Sequence, residues 1–579
     1  MTSASMEMSA GAKSASRTNN TTLDELLQKL SSKAKTFARL TVAERVTLLA
    51  RCVQPLHAVA PAWVDAALRA KGLRSDHPEA FEEWAGGPMT TLRNVRLLLN
   101  SLRDIASRGK PYLAEKNFTT ARDGVTLVEV FPADGFDKAT MAGITAKVRL
   151  QPGVDARKGR ERQASFYDKR DPDGGVALVL GAGNVASIPP MDALYKMFVE
   201  GHVCLVKLNP VNEYLGPFFE KGLAPLVEAG YLAFVYGGGE VGAYLVEHPL
   251  VTDVHITGSD RTHDLIVWGP PGEERTQRIQ DKNPKLKKTI SSELGCVTPV
   301  VIAPAVFSEK ELDFLSQNIA AMMVNNASCN CNAGKMLVTS KGWAQRDALL
   351  AKLKAVLATV PSRKAYYPGA FDRYEHLVGG RAGVVSIGER TSEKLPWTLV
   401  EGLDASSGDR LFTTEPFCPI MSETILDEQD PVKFLAAATT FCNDTLWGTL
   451  SGVLIVHPSI ERDEAGAIAV DEAIAKLRYG AVGVNQWTGL VYGSVSPPWG
   501  AHPSSTLENI QGGLGWVHNT FMLEEIEKVV LRGPIHIAPK PPWFPTNKVS
   551  HKIGKRLVDL EADPSWLKIP GIAITALGG

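Results

Sequence analysis

Apolar and polar positions change rhythm several times along this chain. Val176–Leu180 (VALVL) is a short β-rich run between glycines, and Val203–Leu208 (VCLVKL), Ala233–Tyr236 and Val254–Ile256 follow it. Between them, Asp192–Val199 and Phe218–Val227 carry helical spacing. Strands that alternate with helices imply crossover connections and a mostly parallel sheet. A second set of this kind runs from Val300 to Val484. The pattern predicts an α/β protein of two lobes. Residues 124–150 show strand patterns and turns but no helix signal, so a β excursion is expected there, leaving the first lobe and returning. Upstream, Thr41 and Glu44 form a T-x-x-E capping box before Arg45–Leu49, which marks a helix start.

The two ends differ from the middle. Residues 1–22 are rich in Ser, Thr, Ala and Met with little apolar pattern, so a disordered start is expected and order from near Leu23. They lack the apolar central region of a secretory signal. Residues 539–545 (PKPPWFP) read as a stiff proline-rich strap, and the tail beyond it reads as packing on the body or on a neighbouring subunit.

Composition narrows the classes. The 579 residues carry 62 Lys+Arg against 63 Asp+Glu, a net charge of -1, which argues against a broad nucleic-acid footprint. No apolar run reaches the roughly 18–20 residues of a membrane span. Seven cysteines, an odd number in so long a chain, do not form a disulfide framework. A reduced cytoplasmic protein is expected. Cys329 and Cys331 form a C-x-C without a second Cys/His cluster at ligand spacing, so no metal site is predicted.

Gly181-Ala-Gly183-Asn184-Val-Ala186 follows the strand VALVL and matches G-x-G-x-x-A, the dinucleotide phosphate turn. That fingerprint should open a helix and place an acid about 20 residues on. Pro189-Pro190 interrupt the expected helix start, and the next strand ends in Lys207-Leu208-Asn209-Pro210 without an acid. The glycines read better as a turn that presents Asn184.

Four segments, in order, carry a resemblance. They are Asn184 with Lys207; Gly237–Gly242, His248-Pro249 and Ile256-Thr257-Gly258-Ser259; Ser292-Glu293-Leu294-Gly295; and Asn326–Gly334 with Glu415-Pro416-Phe417 far beyond. The series resembles the aldehyde dehydrogenase superfamily over roughly residues 25 to 535. The resemblance implies a Rossmann-like cofactor lobe (23–292, with a β oligomerisation excursion about 124–165), an α/β catalytic lobe (293–505) and a return to the cofactor lobe (506–534). A C-terminal extension (535–579) lies beyond the usual family end. The excursion sits where the family's subunit-bridging arm belongs, which implies a homodimer or homotetramer.

The resemblance also implies NAD(P)-dependent oxidation of an aldehyde to a carboxylic acid. An aldehyde carbon must become tetrahedral before it gives up hydride, and a thiolate suits that attack. Two cysteines compete. The family pattern Cys-x-Ala-Gly fits Cys331-Asn-Ala333-Gly334, whereas Cys329 would need Ala at 331. Cys331 is therefore the expected nucleophile, forming a thiohemiacetal and then a thioester. Asn184 resembles the family asparagine that, with the Cys331 backbone N–H, stabilises the developing oxyanion. Glu293 resembles the general base for thioester hydrolysis, since burial raises a carboxyl pKa toward the working range. Lys207 looks like the adenosine-ribose contact, Gly258 and Ser259 a pyrophosphate site at a helix start, and Gly237 and Gly242 a second close backbone approach. Glu415 resembles the nicotinamide-ribose ligand, with Phe417 beside it.

Several positions depart from the family. NAD-specific relatives often carry Glu three places after the lysine, where Pro210 stands here. The cofactor is thus NAD or NADP, with NAD slightly favoured. Ser328-Cys329 replaces the usual Gly-Gln, and the spacing suggests a disulfide between Cys329 and Cys331 under oxidation. The usual substrate-anchor loop is not recognisable, but Trp487, Tyr492 and Trp499 suggest an apolar tunnel and a bulky or apolar aldehyde. Two alternatives stand beside hydrolytic oxidation: a CoA-dependent acylating enzyme of the same superfamily, which generally lacks the glutamate, and a non-catalytic member acting as a binding protein.

Overall fold

The computed structural model describes residues 17–579, so most of the N-terminal segment expected to be disordered lies outside the described residues. Order begins before Leu23. The first helix runs Asn20–Ala38, with the Asn19 side chain accepting from the Thr22 N–H at 2.9 Å. Thr18 and Tyr236 exchange two further hydrogen bonds. The polar run that reads as disorder supplies helix caps, the use for which Asn and Thr are favoured. The Thr41–Glu44 capping box forms as expected and opens Val42–Ala50.

Six strands make the cofactor-lobe sheet, in the order Gly513–Leu514, Thr289–Glu293, Asp253–Thr257, Val176–Leu180, Val203–Lys207, Leu232–Val235. All pair in parallel except Gly513–Leu514. Strands covered by helices on both faces read as unbroken apolar runs, which is why VALVL and VCLVK were legible. The strand order reverses between Val176–Leu180 and Asp253–Thr257, so a crevice opens at their carboxyl ends. Pro189 and Pro190 do not interrupt the helix there. They occupy the first turn of Ile188–Phe198, where a missing N–H costs nothing.

Eleven strands form the second sheet. Its parallel centre, Ala481–Val484, Ser451–Ile455, Thr298–Ile302, Gly334–Ser340 and Ile420–Leu426, is the core of the lobe expected to be catalytic. The excursion contributes Thr126–Phe131 and Thr145–Leu150 as an antiparallel pair. Between them is a short helix, Gly135–Thr140, absent from the sequence expectation. Asp134 caps it by accepting from the N–H groups of Phe136 and Asp137, so Asp-Gly, a turn signal on its own, starts a helix.

Thr145–Leu150 pairs with Ile526–Arg532, which pairs in parallel with Ala481–Val484 of the same chain. The excursion thus extends its own chain's larger sheet. Residues 506–534 pack on the first lobe through Gly513–Leu514, Trp516–His518 and Met522, and Ile526–Arg532 then enters the larger sheet.

The extension folds back onto the body as helices Ser550–Ala562 and Ile569–Ala576. Buried ion pairs hold it. Arg93 reaches Asp137 at 2.7 Å and Glu561 at 2.9 Å, and Arg96 reaches Glu561 at 2.6 Å. The first helical layer, the excursion and the extension are thereby joined at one point, where loss of one partner costs about 3–5 kcal/mol.

Candidate active site

The catalytic-lobe helix Glu309–Val324 ends at a loop that leads into strand Gly334–Ser340 and carries both cysteines. Asn326, Ala327 and Ser328 have φ values of 53°, 55° and 65°, a run of left-handed non-glycine backbone. Such residues cost about 1–3 kcal/mol each and persist only where their surroundings over-determine them. Here Lys335, buried, donates to the Ser328 carbonyl and Oγ at 2.7 Å each, and the Asn326 amide donates to the carbonyls of Asn184 and Cys329.

This loop brings Cys331 to Glu293 at the end of a cofactor-lobe strand: Sγ donates to Oε1 at 3.1 Å. Burial pushes the Glu293 carboxyl up to about 7, with the Asp192 carboxylate adding to the rise and Trp499, Cys331 and His255 opposing it. Glu293 Oε2 is buried and without a hydrogen-bond partner among the described residues. Burial also pushes the Cys331 thiol well above its ordinary range, with Glu293 adding to the rise. A proton on the Cys331 sulfur thus has an acceptor in place whenever the Glu293 carboxyl is ionised.

Asn184 lies against the same cavity as Cys331. One N–H of its amide donates to the Cys329 carbonyl at 3.0 Å, leaving a second. Its own carbonyl accepts from Lys71 Nζ at 3.1 Å, Asn326 Nδ2 at 3.0 Å and the Tyr366 hydroxyl at 3.2 Å. Lys71 also pairs with Glu83 at 2.7 Å and donates to Asn326 Oδ1 at 2.9 Å. The sequence reading missed this clamp, although it left a trace. Val64, Leu68 and Lys71 share one face of helix Val53–Lys71, and all are buried, so a charge stands on an apolar stripe.

Cys329 points elsewhere. Its Sγ contacts the carbonyls of Ala327 and Phe417, and it shares a small separate cavity with Cys418 and Arg363. Cys331 opens instead into the large cavity, so the two thiols face different spaces and the disulfide suggested by their spacing has no support in the geometry.

The other expected residues gather around the crevice. Lys207 ends its strand nine-tenths buried, and its ammonium makes no hydrogen bond or ion pair among the described residues. Burial lowers its pKa, while Glu240 and Glu213 oppose the fall. Ser259 caps Asp260–Trp268 by accepting from the Thr262 N–H at 3.2 Å, so the helix start faces the crevice side. A Cβ added at Gly242 or Gly258 meets nothing closer than 3.6 Å, whereas one at Gly237 strikes Val241 at 2.5 Å. Packing thus requires Gly237 but not the other two, which leaves their backbone open to a ligand. Glu415 lies directly over Gly295, where an added Cβ would sit 1.9 Å from its carboxylate. Its Oε1 is buried and unpartnered among the described residues, and burial pushes it up to about 8 against the charges of Lys335 and Arg373. Phe417 stands beside it at φ 45°, its carbonyl accepting from Arg373 at 3.2 Å. An unpaired ammonium and an exposed helix start at the carboxyl ends of the first sheet, with an orphaned carboxylate oxygen at Glu415, have the chemistry to hold a dinucleotide. Among the described residues no three His, Cys, Asp or Glu side chains are grouped to hold a metal ion.

A cavity of about 380 Å³ runs from Cys331 and Asn184 beneath the extension. Trp487 and Tyr492 line it, as expected, but Trp499 does not. Trp499 is fully buried in the strand pair Pro498–Gly500 and Trp516–His518, edge-on to Tyr492. The extension, to which sequence reasoning gave no chemistry, supplies much of the wall through Ile537, Trp543, Ile553, Leu557 and Ile572.

Residues 144–370 match the model of the aldehyde dehydrogenase family. A geranial dehydrogenase of Castellaniella defragrans is 25% identical over 279 residues, 46% of this chain and 51% of that protein, so the chain spans about half the length of this curated relative. Among solved structures, a glyceraldehyde-3-phosphate dehydrogenase of Methanocaldococcus jannaschii complexed with NADP superposes with a TM-score of 0.58 at 14% identity, covering 89% of this chain and 95% of that one. An NAD-dependent aldehyde dehydrogenase of Sinorhizobium meliloti gives 0.57 at 16% identity, covering 91% and 89%. No helix among the described residues is long and apolar enough to cross a membrane. The aldehyde dehydrogenase family model thus matches residues 144–370, and the chain as a whole shares the fold of these dehydrogenases.

Proposed function

We propose that the protein oxidises apolar aldehydes to carboxylic acids with NAD(P), using Cys331 as nucleophile and hydrolysing the thioester with Glu293. The observation that carries this reading is the 3.1 Å contact between Cys331 Sγ and the buried Glu293 carboxylate at the end of an apolar cavity. The substrate carbonyl enters along the wall formed by Trp487, Tyr492 and the extension. As Sγ bonds to the carbonyl carbon, the thiol proton passes to Glu293 Oε1. The carbonyl oxygen becomes an oxyanion, and the free N–H of the Asn184 amide and the Cys331 backbone N–H stabilise it; one such donor is worth about 2.7–4 kcal/mol. NAD(P)+ would be held by Lys207, Gly258-Ser259 and Glu415 and would supply the hydride acceptor. Loss of hydride leaves a thioester on Cys331. Glu293, having released its proton to solvent, takes one from water, the hydroxide attacks the thioester carbon, and the Cys331 thiolate leaves as the acid forms.

Glu213 and Glu240 flank Lys207 and support NAD over NADP, since an added 2′-phosphate meets their charge. The apolar wall, together with a relative named for geranial, a branched apolar aldehyde, supports the substrate class. The test is a panel of short, polar and long or branched apolar aldehydes with NAD or NADP, each with and without CoA. The expected outcome is reduced cofactor without CoA, fastest with apolar substrates and NAD. A strict requirement for CoA would overturn the hydrolytic step.

A further inference from the structure

The C-terminal helix Ile569–Ala576 is apolar on both sides. Ile572 and Ala576 face inward onto the cavity. Pro570, Ala573, Ile574 and Leu577 form an i, i+3, i+4, i+7 stripe that faces outward and is exposed. Ile574 and Leu577 are 71% and 76% exposed, and the preceding turn adds Leu567 at 91% and Trp566 at 60%. Four of the seven exposed large apolar side chains among the described residues therefore fall within twelve positions. A helix apolar all round is ordinarily covered on all sides, and this one is covered on one.

The charge beside it identifies what covers the other. Lys552, Lys555 and Arg556 are exposed on the adjoining helix and Lys548 is exposed just before it, and none makes an ion pair among the described residues. Arg556 lies against Gly571, so the basic and apolar stripes are contiguous. The acidic groups of the extension are already engaged: Glu561 with Arg93 and Arg96, Asp559 with His57, and Asp563 with Lys568. An unneutralised basic row beside an exposed Trp, Leu and Ile row has the chemistry of an interfacial helix on anionic lipid. A second copy of the chain fits less well. An isologous contact would set the same basic rows against each other, and an eight-residue helix, about 12 Å long, falls short of the roughly 800 Å² per partner of a stable interface.

We propose that the extension docks this protein on an anionic lipid surface through Trp566, Leu567, Ile574 and Leu577, with Lys548, Lys552, Lys555 and Arg556 toward the headgroups. The helix that touches lipid is then the helix that walls the cavity, so an apolar molecule dissolved in the bilayer meets the catalytic chamber without crossing bulk water. Docking is read without turnover, so it fails or succeeds independently of the aldehyde reading.

The experiment is flotation of the full-length protein with phosphatidylcholine vesicles and with vesicles containing one quarter phosphatidylglycerol, at low and high salt. The variants are Ile574→Asp/Leu577→Asp and Lys552→Glu/Lys555→Glu, each checked by thermal melting and light scattering. Wild type is expected to float with the phosphatidylglycerol vesicles, to lose most binding at high salt, and to lose at least tenfold in affinity in either folded variant. Absence of vesicle binding by wild type overturns the proposal. So does binding independent of phosphatidylglycerol, binding unchanged in both variants, or a wild-type oligomer that the aspartate variant dissociates in place of vesicle binding.

Discussion

Lys71 offers a way to separate holding Asn184, the proposed oxyanion donor, from holding the fold. Its ammonium, 7% exposed, lies 2.7 Å from the Glu83 carboxylate and donates to the Asn184 carbonyl and to Asn326 Oδ1. Lys71→Met removes the only cation of that pair and leaves Glu83 buried without compensation, a loss of about 3–5 kcal/mol in folding stability. Lys71→Met/Glu83→Gln removes the stranded charge. The Asn184 carbonyl keeps its bonds from Asn326 and Tyr366, so the double variant should recover to within about 1–2 kcal/mol of wild type. Recovery of catalysis should not follow. Without the lysine, the backbone of Asn184 loses its charged anchor, and the amide that meets the oxyanion is less well placed. Both variants should show a pre-steady-state burst of reduced cofactor slowed about tenfold, equivalent to about 1.4 kcal/mol of transition-state stabilisation. Urea denaturation supplies the first reading and rapid-mixing absorbance the second. A double variant as unstable as Lys71→Met would refute the buried-charge argument, since the two changes act on one contact and must be non-additive. A burst at the wild-type rate would refute the positioning role.

Further outcomes follow from the same geometry. Glu293 acts as base only when ionised, and burial holds it at about 7. The steady-state rate should therefore rise with pH through about 7 and level above it, and Glu293→Gln should remove that limb, slow the burst because the Cys331 thiol loses its acceptor, and slow deacylation by about 10²–10⁴-fold, so that the acyl-enzyme still accumulates once formed. Ile572→Asp places a charge on the cavity wall and should raise KM for long or branched aldehydes at least tenfold while leaving propanal within twofold; equal effects on both would show that the extension is not part of the substrate path. Cys329→Ser should keep activity and leave the thiol-reversibility of peroxide inactivation unchanged, because the two thiols face different cavities. A difference in reversibility would restore the disulfide that the spacing suggested.

What the sequence displayed and what it hid follow from range. The fully buried runs VALVL and VCLVK, the Thr41–Glu44 capping box, and the Cys-x-Ala-Gly loop are local, so their residues were readable in isolation. The partner of Lys71 is twelve positions away, but its other contacts are 113 and 255 positions away, and no local pattern reports them. The excursion's strands were visible, yet their pairing with Ile526–Arg532 joins segments almost four hundred residues apart. That pairing joins the excursion to the larger sheet, and no local pattern reports it. The extension misled most: its prolines and short helices read as a strap without chemistry, and only the folded chain shows that Trp543, Ile553 and Ile572 finish the cavity that begins at Cys331.

The most direct test of the central claim is covalent. Glu293→Gln, which can form the thioester but hydrolyse it only slowly, is mixed with an apolar aldehyde and NAD, quenched in acid, digested and analysed by mass spectrometry. The account predicts an adduct of the aldehyde mass less two hydrogens on Cys331, absent from Cys331→Ala/Glu293→Gln. The same adduct on Cys329, or reduced cofactor formed with no acylated cysteine, would contradict it.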